Sequence, residues 1–286
     1  MKTSIDHYAE YCRDGFTIFR QYLPTQKVAA LRRILEPILQ ARFAANADLP
    51  RAAMGDALSN ESLTPYLSDH LLNPMLLDFA ERVIGPYVQL DSYRIVGFST
   101  RPRHLKNQVD LWHRDAFNLT ETWATYNLSH NPRPRPYTPP MACNCLTYLQ
   151  DMNAETGSLR VIPGSHLDYT FIPEADVKKP HPNEKLIRLS AGDMVFTHCE
   201  LLHSGSLNSS GAIRYFVSIY LQRFGLPHRD NFATPTIAAI LQTARKRNER
   251  RTMRLFGCDK TLHQRQQKAW QRMIEEDGQA TLAEWA

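Results

Sequence analysis

The amino-acid sequence predicts a mainly β fold with flanking helices. In the middle of the chain, apolar and β-branched residues recur with a period of two in short runs, whereas both ends show helical spacing. Turn signals separate the runs, as at Gly157, Pro163-Gly164 and Gly192. Many short strands with such turns are typical of a β-sandwich or barrel. The predicted strands span 87–100, 141–150, 158–162, 185–190, 193–198 and 212–223.

The N-terminal part, residues 1–86, predicts helices around one short strand. A turn and a brief β run end at Phe19. Thr25 is the predicted N-cap of an apolar-striped helix. A second helix is predicted over 69–84, because its apolar residues recur at helical spacing and Gly-Pro follows it. The segment 44–68 is predicted to be irregular.

The second half of the chain carries a long insertion and a basic C-terminal segment. The insertion, 118–140, ends in a proline-rich stretch that cannot be regular structure. Two interpretations of it remain open, a lid over the site and a plain surface loop. The segment 235–286 is predicted to be helical, either packed on the core 87–225 or at a homodimer interface. The charge run within it favours a solvated helix face over nucleic-acid contact, because no aromatic residues interleave it. We expect one domain over 1–286.

The bulk composition excludes several classes of protein. Hydrophobic content of 43% and charged content of 22% are ordinary for a globular protein, and a net charge of +5 is mild. The five cysteines are too few and too scattered for a disulfide scaffold. No signal peptide and no membrane-spanning stretch is predicted. We therefore expect a cytoplasmic protein.

The most informative motif is His113-Arg114-Asp115, followed about ninety residues later by His203. On extended backbone, side chains two residues apart project from the same side, so His113 and Asp115 can reach one metal. With His203 they make a set of two histidines and one carboxylate. That set holds non-haem Fe(II) on one face and leaves the opposite face open. A bare His-X-Asp pair is a weak signal, so its context decides.

That context resembles one enzyme family over roughly residues 10–225. The resembling motifs are Asp14-Gly15-Phe16, Trp112-His113-Arg114-Asp115, the run Gly157-Ser158-Leu159-Arg160-Val161-Ile162-Pro163-Gly164-Ser165-His166, Gly192-Asp193, and His203 with Arg214. Their order is similar to that of the phytanoyl-CoA dioxygenase family of Fe(II)- and 2-oxoglutarate-dependent oxygenases. The resemblance implies a double-stranded β-helix core, that is, a jelly-roll, cupin-like fold.

The resemblance also assigns roles to individual residues. It implies that His113, Asp115 and His203 are the catalytic iron ligands. It implies that Arg214, eleven residues after the distal histidine, grips the far carboxylate of 2-oxoglutarate, which suits the two parallel hydrogen bonds of a guanidinium.

Three further polar contacts to the cosubstrate are less defined. The family commonly has His-Gly-Ser at the distal histidine, but this chain has His-Ser-Gly-Ser, so Ser204 and Ser206 both remain candidates. Asn144 is expected to share an inward face with Leu146, which stands where the family often has tryptophan.

The implied reaction uses Fe(II), 2-oxoglutarate and O2. It hydroxylates or otherwise oxidises a C–H bond of a small-molecule metabolite and releases succinate and carbon dioxide. Related halogenases have a small residue in place of the carboxylate, so Asp115 predicts hydroxylation or another oxidative step. We expect the substrate pocket to be lined by Trp112, Phe117, Tyr93 and Arg94, together with parts of the 118–140 loop.

Three other hypotheses remain open. The chain could be a jelly roll that binds a ligand without turnover, and the complete triad with Arg214 argues against that. It could be a nucleic-acid-modifying oxygenase that uses the basic 244–254 stretch. It could also be a cupin-like zinc or manganese enzyme with the same ligands.

Overall fold

The computed structural model describes residues 3–46, 50–54, 57–115, 137, 139–168, 172–223 and 232–259. Phe117 and most of the 118–140 insertion lie outside the described residues, as does the C-terminal end from residue 260. In the described part no helix combines the length and the apolarity needed to cross a bilayer.

The N-terminal segment begins with a helix that the periodicity did not predict. Helix α1 spans Ser4–Asp14, and Thr3 and Asp6 cap its start reciprocally as a capping box. It ends at Gly15, which adopts a φ of +81°, and the strand β1, Phe16–Phe19, follows as predicted. Helix α2 spans Thr25–Ala45. The N-cap prediction was wrong, because Thr25 is the first helical residue after Pro24 and no side chain caps this end.

The segment predicted to be irregular is partly regular. It contains the edge strand β2, Arg51–Met54, and the start of helix α3, Thr64–Leu71. Helix α4 spans Pro74–Ile84 and ends at Gly85. The single helix predicted over 69–84 is therefore two helices, because the Asn73 side chain caps α4 and Pro74 opens it.

The middle of the chain forms the six predicted strands, each slightly shorter than expected, and one strand that was not predicted, β8. They are β3 (Val88–Phe98), β4 (Ala142–Tyr148), β5 (Leu159–Val161), β6 (Lys185–Ile187), β7 (Met194–His198), β8 (His203–Gly205) and β9 (Arg214–Arg223), with the short helix α5 (Ser165–Asp168) after β5.

These strands form two antiparallel sheets. The large sheet has the order β1-β7-β4-β9-β3-β2, and the small sheet has the order β6-β5-β8. Two isolated antiparallel bridges, Val109 with Ser206 and His113 with His203, bring the chain before the insertion to the small sheet. The predicted mainly β core with flanking helices is thus confirmed.

Two hydrophobic clusters hold these layers together. One contains fully buried residues of helices and of the large sheet, such as Leu35, Phe79 and Val217. The other joins large-sheet residues such as Val195 to Val161 of the small sheet. Burial of this kind is the main favourable contribution to folding. The large sheet is therefore covered by helices on one side, and its other side faces the small sheet.

The C-terminal segment is helical, as predicted, over helices α6 (Pro235–Arg247) and α7 (Arg250–Leu255). Part of its basic run is engaged within the protein. Arg251 pairs with Asp78 and Glu81 of α4, and Arg250 pairs with Asp259. Arg251 therefore attaches the segment to α4, whereas the Arg250 pair lies within the segment.

Candidate active site

Two histidines from distant parts of the sequence lie side by side. His113 and His203 exchange both backbone hydrogen bonds, each with an N···O distance of 3.0 Å. Such an exchange is the hydrogen-bonded pair of an antiparallel ladder. The centroids of the two rings are 4.3 Å apart. The strand β8 therefore positions both imidazoles at once.

The same backbone fixes which ring nitrogen carries the proton. Nδ1 of His113 lies 2.9 Å from the carbonyl oxygen of Leu111, and Nδ1 of His203 lies 3.0 Å from that of Leu201. A carbonyl only accepts, so each Nδ1 must donate. In the neutral ring Nε2 then keeps its lone pair, which is the arrangement of metal-binding histidines whose other nitrogen is held by a carbonyl.

Asp115 completes this group. Its Oδ1 lies 3.8 Å from Nε2 of His113, and its Oδ2 lies 3.6 Å from Nε2 of His203. One ligand atom from each residue lies within 4.8 Å of the others, so the group could hold a metal ion. Two neutral imidazoles and one carboxylate with open positions are the donor set of non-haem Fe(II) sites. The residues present thus fit this metal.

The large sheet orients the Asp115 carboxylate through a chain of hydrogen bonds. Asn144 on β4 donates from Nδ2 to Oδ2 of Asp115 over 3.0 Å. Ser218 on β9 in turn donates its hydroxyl to Oδ1 of Asn144 over 2.8 Å. Because these residues lie on paired strands, the position of the carboxylate is set by the sheet and not by its own loop.

Electrostatics favour the charge states that bind a metal. Burial alone would raise the pKa of Asp115, but His203, His113 and the hydrogen bonds from Tyr220 and Asn144 outweigh it and lower the pKa. Burial, followed by the neighbouring His203, lowers the pKa of His113. The His113 side chain is 45% exposed, yet that surface faces a cavity and not open solvent, so desolvation still acts on it. An ionised Asp115 beside a neutral His113 follows.

Arg214, the first residue of β9, is buried and held through only one side of its guanidinium. Its Nη1 donates to the carbonyl oxygens of Gly157 and Ser206, each over 2.7 Å. The group stacks over the Phe98 ring at 4.2 Å. Within the described residues, Nε and Nη2 have no hydrogen-bond partner, and Nε is fully buried. That edge presents two parallel donors, which is the geometry that binds a carboxylate.

Two glycines make room for this guanidinium. Gly157 has a φ of +86°, and a side chain there would place its Cβ 2.6 Å from Nη1 of Arg214. A Cβ at Gly205 would lie 3.3 Å from Nη2. A contact below 3.0 Å cannot be accommodated without movement, so Gly157 is required both for its backbone conformation and for the space it leaves.

The two serines expected near the cosubstrate use their hydroxyls elsewhere. Ser204 Oγ accepts from the backbone N–H of Leu111 and donates to the carbonyl oxygen of Gly205. Ser206 Oγ accepts from Nε of Arg160, a buried arginine. Both serines are fully buried, and neither lines the cavity that contains the histidine group, although Ser206 lines a smaller cavity of about 200 Å³ beside Arg214. Their contribution in this structure is to position the histidine segment and Arg214.

A cavity of about 680 Å³ joins the histidine group to Arg214, and it is lined by β3, β4, β9 and the small sheet. Arg94 lines it, as expected for a substrate residue. Tyr93 and Trp112 do not, which corrects the expectation for both. Tyr93 faces the helices, where its hydroxyl contacts His70, and the Trp112 indole donates to the carbonyl oxygen of Lys179. Neighbours on a strand face opposite sides, so Tyr93 cannot share the cavity with Arg94.

Several residues of this wall were not among the predicted site residues. Ser218 and Tyr220 follow Arg214 and Phe216 at intervals of two on β9 and so share their face, and that period of two was the signal that could have found them. Arg114, inside the His-X-Asp motif, donates to the carbonyl oxygens of Ser165 and Glu200. No sequence signal marked that role.

The chain is similar to a known protein family and to individual members of it. The family model of phytanoyl-CoA dioxygenase (PhyH) matches residues 11–216. The chain is 25% identical over 235 residues to an ectoine dioxygenase of Bordetella parapertussis, with 72% of this chain and 71% of the relative covered. The ectoine dioxygenase of Bordetella bronchiseptica matches to the same extent.

Solved structures share the fold at low sequence identity. HygX from Streptomyces hygroscopicus, solved with nickel, 2-oxoglutarate and hygromycin B, is 14% identical with a TM-score of 0.57, and 78% of this chain and 88% of HygX are covered. The α-ketoglutarate-dependent carbocyclase SnoK from nogalamycin biosynthesis is 21% identical with a TM-score of 0.55, at 78% and 86% coverage. The predicted jelly-roll fold is therefore confirmed.

Proposed function

The chain belongs to the phytanoyl-CoA dioxygenase family of Fe(II)- and 2-oxoglutarate-dependent oxygenases, and from that premise we propose that it hydroxylates or otherwise oxidises a C–H bond of a small-molecule metabolite. Its cofactors are Fe(II), 2-oxoglutarate and O2. The observation that carries the proposal is that the histidine-aspartate group and Arg214 line one cavity.

In this proposal His113, Asp115 and His203 hold the iron. The support is their convergence within 4.8 Å, the carbonyl contacts of both Nδ1 atoms, and the lowered pKa of Asp115. Asn144 keeps the carboxylate oriented, and its contact with the cosubstrate stays a prediction. This is the support that metal ligands need from their neighbours, because a ligand that can rotate binds less tightly.

Arg214 binds the far carboxylate of 2-oxoglutarate in this proposal. Its Nη1 is already saturated by backbone carbonyls, so the Nε and Nη2 edge is left for the anion. A buried cation without a counter-ion is costly, and an incoming carboxylate removes that cost. Tyr148 lines the same cavity. Burial raises the pKa of its hydroxyl to about 12, and the neighbouring Arg214 opposes that rise.

When bound, the iron and 2-oxoglutarate supply O2-dependent C–H oxidation with release of succinate and carbon dioxide. The protein's part is to hold the target C–H bond near the histidine group and to exclude water from a cavity with walls from both sheets. Because Asp115 fills the position that halogenases leave for halide, we expect oxygen and not chloride to enter the product. Incorporation of chloride during turnover would contradict this.

Relatives support a small molecule as the substrate class. The curated relatives are named for ectoine, and solved neighbours carry hygromycin B or act in nogalamycin biosynthesis. We also propose that residues 1–286 form one oxygenase domain. Its support is that one hydrophobic cluster contains residues of the N-terminal helices, the large sheet and α6.

The test is an anaerobic titration of the protein with Fe(II) and 2-oxoglutarate, followed by visible absorbance. Wild-type protein is expected to give the charge-transfer band of an iron chelated by the keto acid. Asp115→Ala and Arg214→Ala should lose or weaken it, while Arg33→Ala, at an exposed position of helix α2, should retain it. Wild-type protein that is folded but gives no band would overturn the proposal.

A further inference from the structure

The strand β3 contains a β-bulge at the edge of the cavity. Leu90 pairs with Leu221 of β9 and Ser92 pairs with Tyr220, so Asp91 is the extra residue of the bulge. A bulge bends the strand and re-aims a side chain, and bulges are frequent beside active sites. Here both Asp91 and Ser92 line the cavity. Asp91 is only 3% exposed, so the bulge has placed a buried carboxylate in the cavity wall.

Arg94 follows three residues later on the same wall, beside the iron-binding group. It pairs in register with Ser218, whose hydroxyl holds Asn144, which in turn holds Asp115. On this strand Phe98 is paired with Arg214, the proposed cosubstrate residue. Four residues of strand separate Phe98 from Arg94, which is about 14 Å. Arg94 and Asp91 thus define the end of the cavity that is away from the cosubstrate arginine.

The two ends of the cavity differ in chemistry. Apolar side chains, Val96 and Phe216, lie between Arg94 and Arg214. The other end adds polar groups, Tyr220 and Gln222, to the two charged residues. An acyl chain placed there would run along a buried carboxylate and a guanidinium, which is unfavourable. A ligand with one charge of each sign would match both.

We propose that this end of the cavity recognises a small zwitterion, with its carboxylate on Arg94 and its cationic nitrogen on Asp91. The inference rests on the proposed oxygenase function and names its substrate class. A guanidinium binds a carboxylate through parallel hydrogen bonds, and an aspartate accepts from a cationic N–H. Because Asp91 and Arg94 lie within about 10 Å along β3, the two charges of the ligand must be a few bonds apart.

The experiment measures binding to the anaerobic complex of the full chain with Fe(II) and 2-oxoglutarate, through the change in its visible band. The probes are L-proline, L-pipecolate and ectoine. Proline and pipecolate are also supplied as carboxamides, which lack the carboxylate, and as ring-oxygen analogues, which lack the cation. We expect at least one zwitterion to bind with saturation, and proline or pipecolate to bind at least about tenfold tighter than its analogues. Equal binding of the analogues, or no binding by any zwitterion, overturns the inference.

Variants assign each charge. Arg94→Gln should abolish the preference for carboxylate over carboxamide, and Asp91→Asn should abolish the preference for nitrogen over oxygen. Arg51 lines the cavity at the Phe98 end. Arg51→Gln should therefore leave both preferences, for carboxylate and for nitrogen, unchanged. If Asp91→Asn fails to fold, the ratio measured for Arg94→Gln still decides the outcome.

The outcomes separate this inference from the function on which it rests. Wild-type protein without the Fe(II) and 2-oxoglutarate band would overturn the proposed function. A normal band without a preference for the zwitterion over its analogues would overturn only the proposal of a zwitterionic substrate. An Arg94→Gln variant that no longer chelates 2-oxoglutarate would also overturn it, because Arg94 would then belong to the cosubstrate.

Discussion

The side-chain amide of Asn144 donates to Oδ2 of Asp115 over 3.0 Å and so ties the His-X-Asp loop to the centre of the large sheet. Asn144→Ala should therefore leave the fold intact and weaken metal binding. Loss of such a supporting hydrogen bond typically costs about 10- to 100-fold in metal affinity. Competition with a metal chelator measures it. Ser218→Ala, which contacts Asp115 only through Asn144, should have a smaller effect, and equal affinities in all three proteins would refute the role.

Replacement of Arg214 by lysine tests the guanidinium edge. Lysine keeps the charge but cannot make two parallel hydrogen bonds, so the affinity for 2-oxoglutarate should fall. Loss of one charged hydrogen bond of about 2 kcal/mol corresponds to a factor on the order of 30. The matched control is Arg51→Lys, an arginine near the same Phe98 ring. An Arg214→Lys protein that binds 2-oxoglutarate as tightly as wild type would show that charge alone is enough, and a comparable loss in Arg51→Lys would show that the effect is not specific to Arg214.

Substitution of Gly157 tests whether the close packing beside Arg214 requires a glycine. Gly157→Ala must place a methyl group against the carbonyl oxygen of Ser206 and Nη1 of Arg214 at a φ of +86°, whereas at Gly211 the φ is +83° and a Cβ would have nothing within 4 Å. The second change should reduce the free energy of unfolding by about 1 to 2 kcal/mol through backbone strain alone. The first should cost about 2 kcal/mol more through overpacking. Urea denaturation measures both free energies of unfolding, and equal losses would show that the space at Gly157 is not required.

The buried His70 should make the free energy of unfolding depend on pH. Its side chain is fully buried between the hydroxyls of Tyr93 and Thr147, and burial lowers its pKa to about 3. The folded pKa lies below that of the unfolded chain, about 6.5, so stability is fully present above that pH and decreases as the pH falls toward 3. Between pH 8 and pH 5.5 this group should contribute a loss of about 1.4 kcal/mol.

The measurement for His70 is urea denaturation of metal-free protein at both pH values. His70→Gln should be less stable than wild type at pH 8 but should depend less on pH. His104→Gln changes a histidine that is exposed on the surface and should keep the wild-type dependence. If His70→Gln retains the full wild-type loss, another group is responsible.

Sequence reasoning succeeded where residues act through local pattern. The histidine pair with Asp115, and Arg214 after it, were found because their order and spacing are readable along the chain. It failed where contacts depend on which strands pair. Nothing near Ser218 in the sequence shows that Asn144 will lie beside it, because the two meet only when β4 pairs with β9.

Other failures had a local signal that was not used. The capping box of Thr3 and Asp6 marks the start of α1. The alternation of side chains on a strand separates Tyr93 from Arg94, although both were expected to face the substrate. The edge strand β2 had no such signal. It has only four residues, two of them alanine, and it pairs with β3, which lies some forty residues later in the sequence.

The backbone pairing of His113 with His203 places two of the proposed iron ligands at the small sheet, whereas the third, Asp115, is hydrogen-bonded to the large sheet. An ion bound by all three would act as a crosslink between the sheets. Its binding free energy would then add to the resistance of the whole sandwich to unfolding, as for any ligand that binds only the native state. Chelation would loosen the two layers against each other, and the substrate cavity between them would lose its shape together with its chemistry.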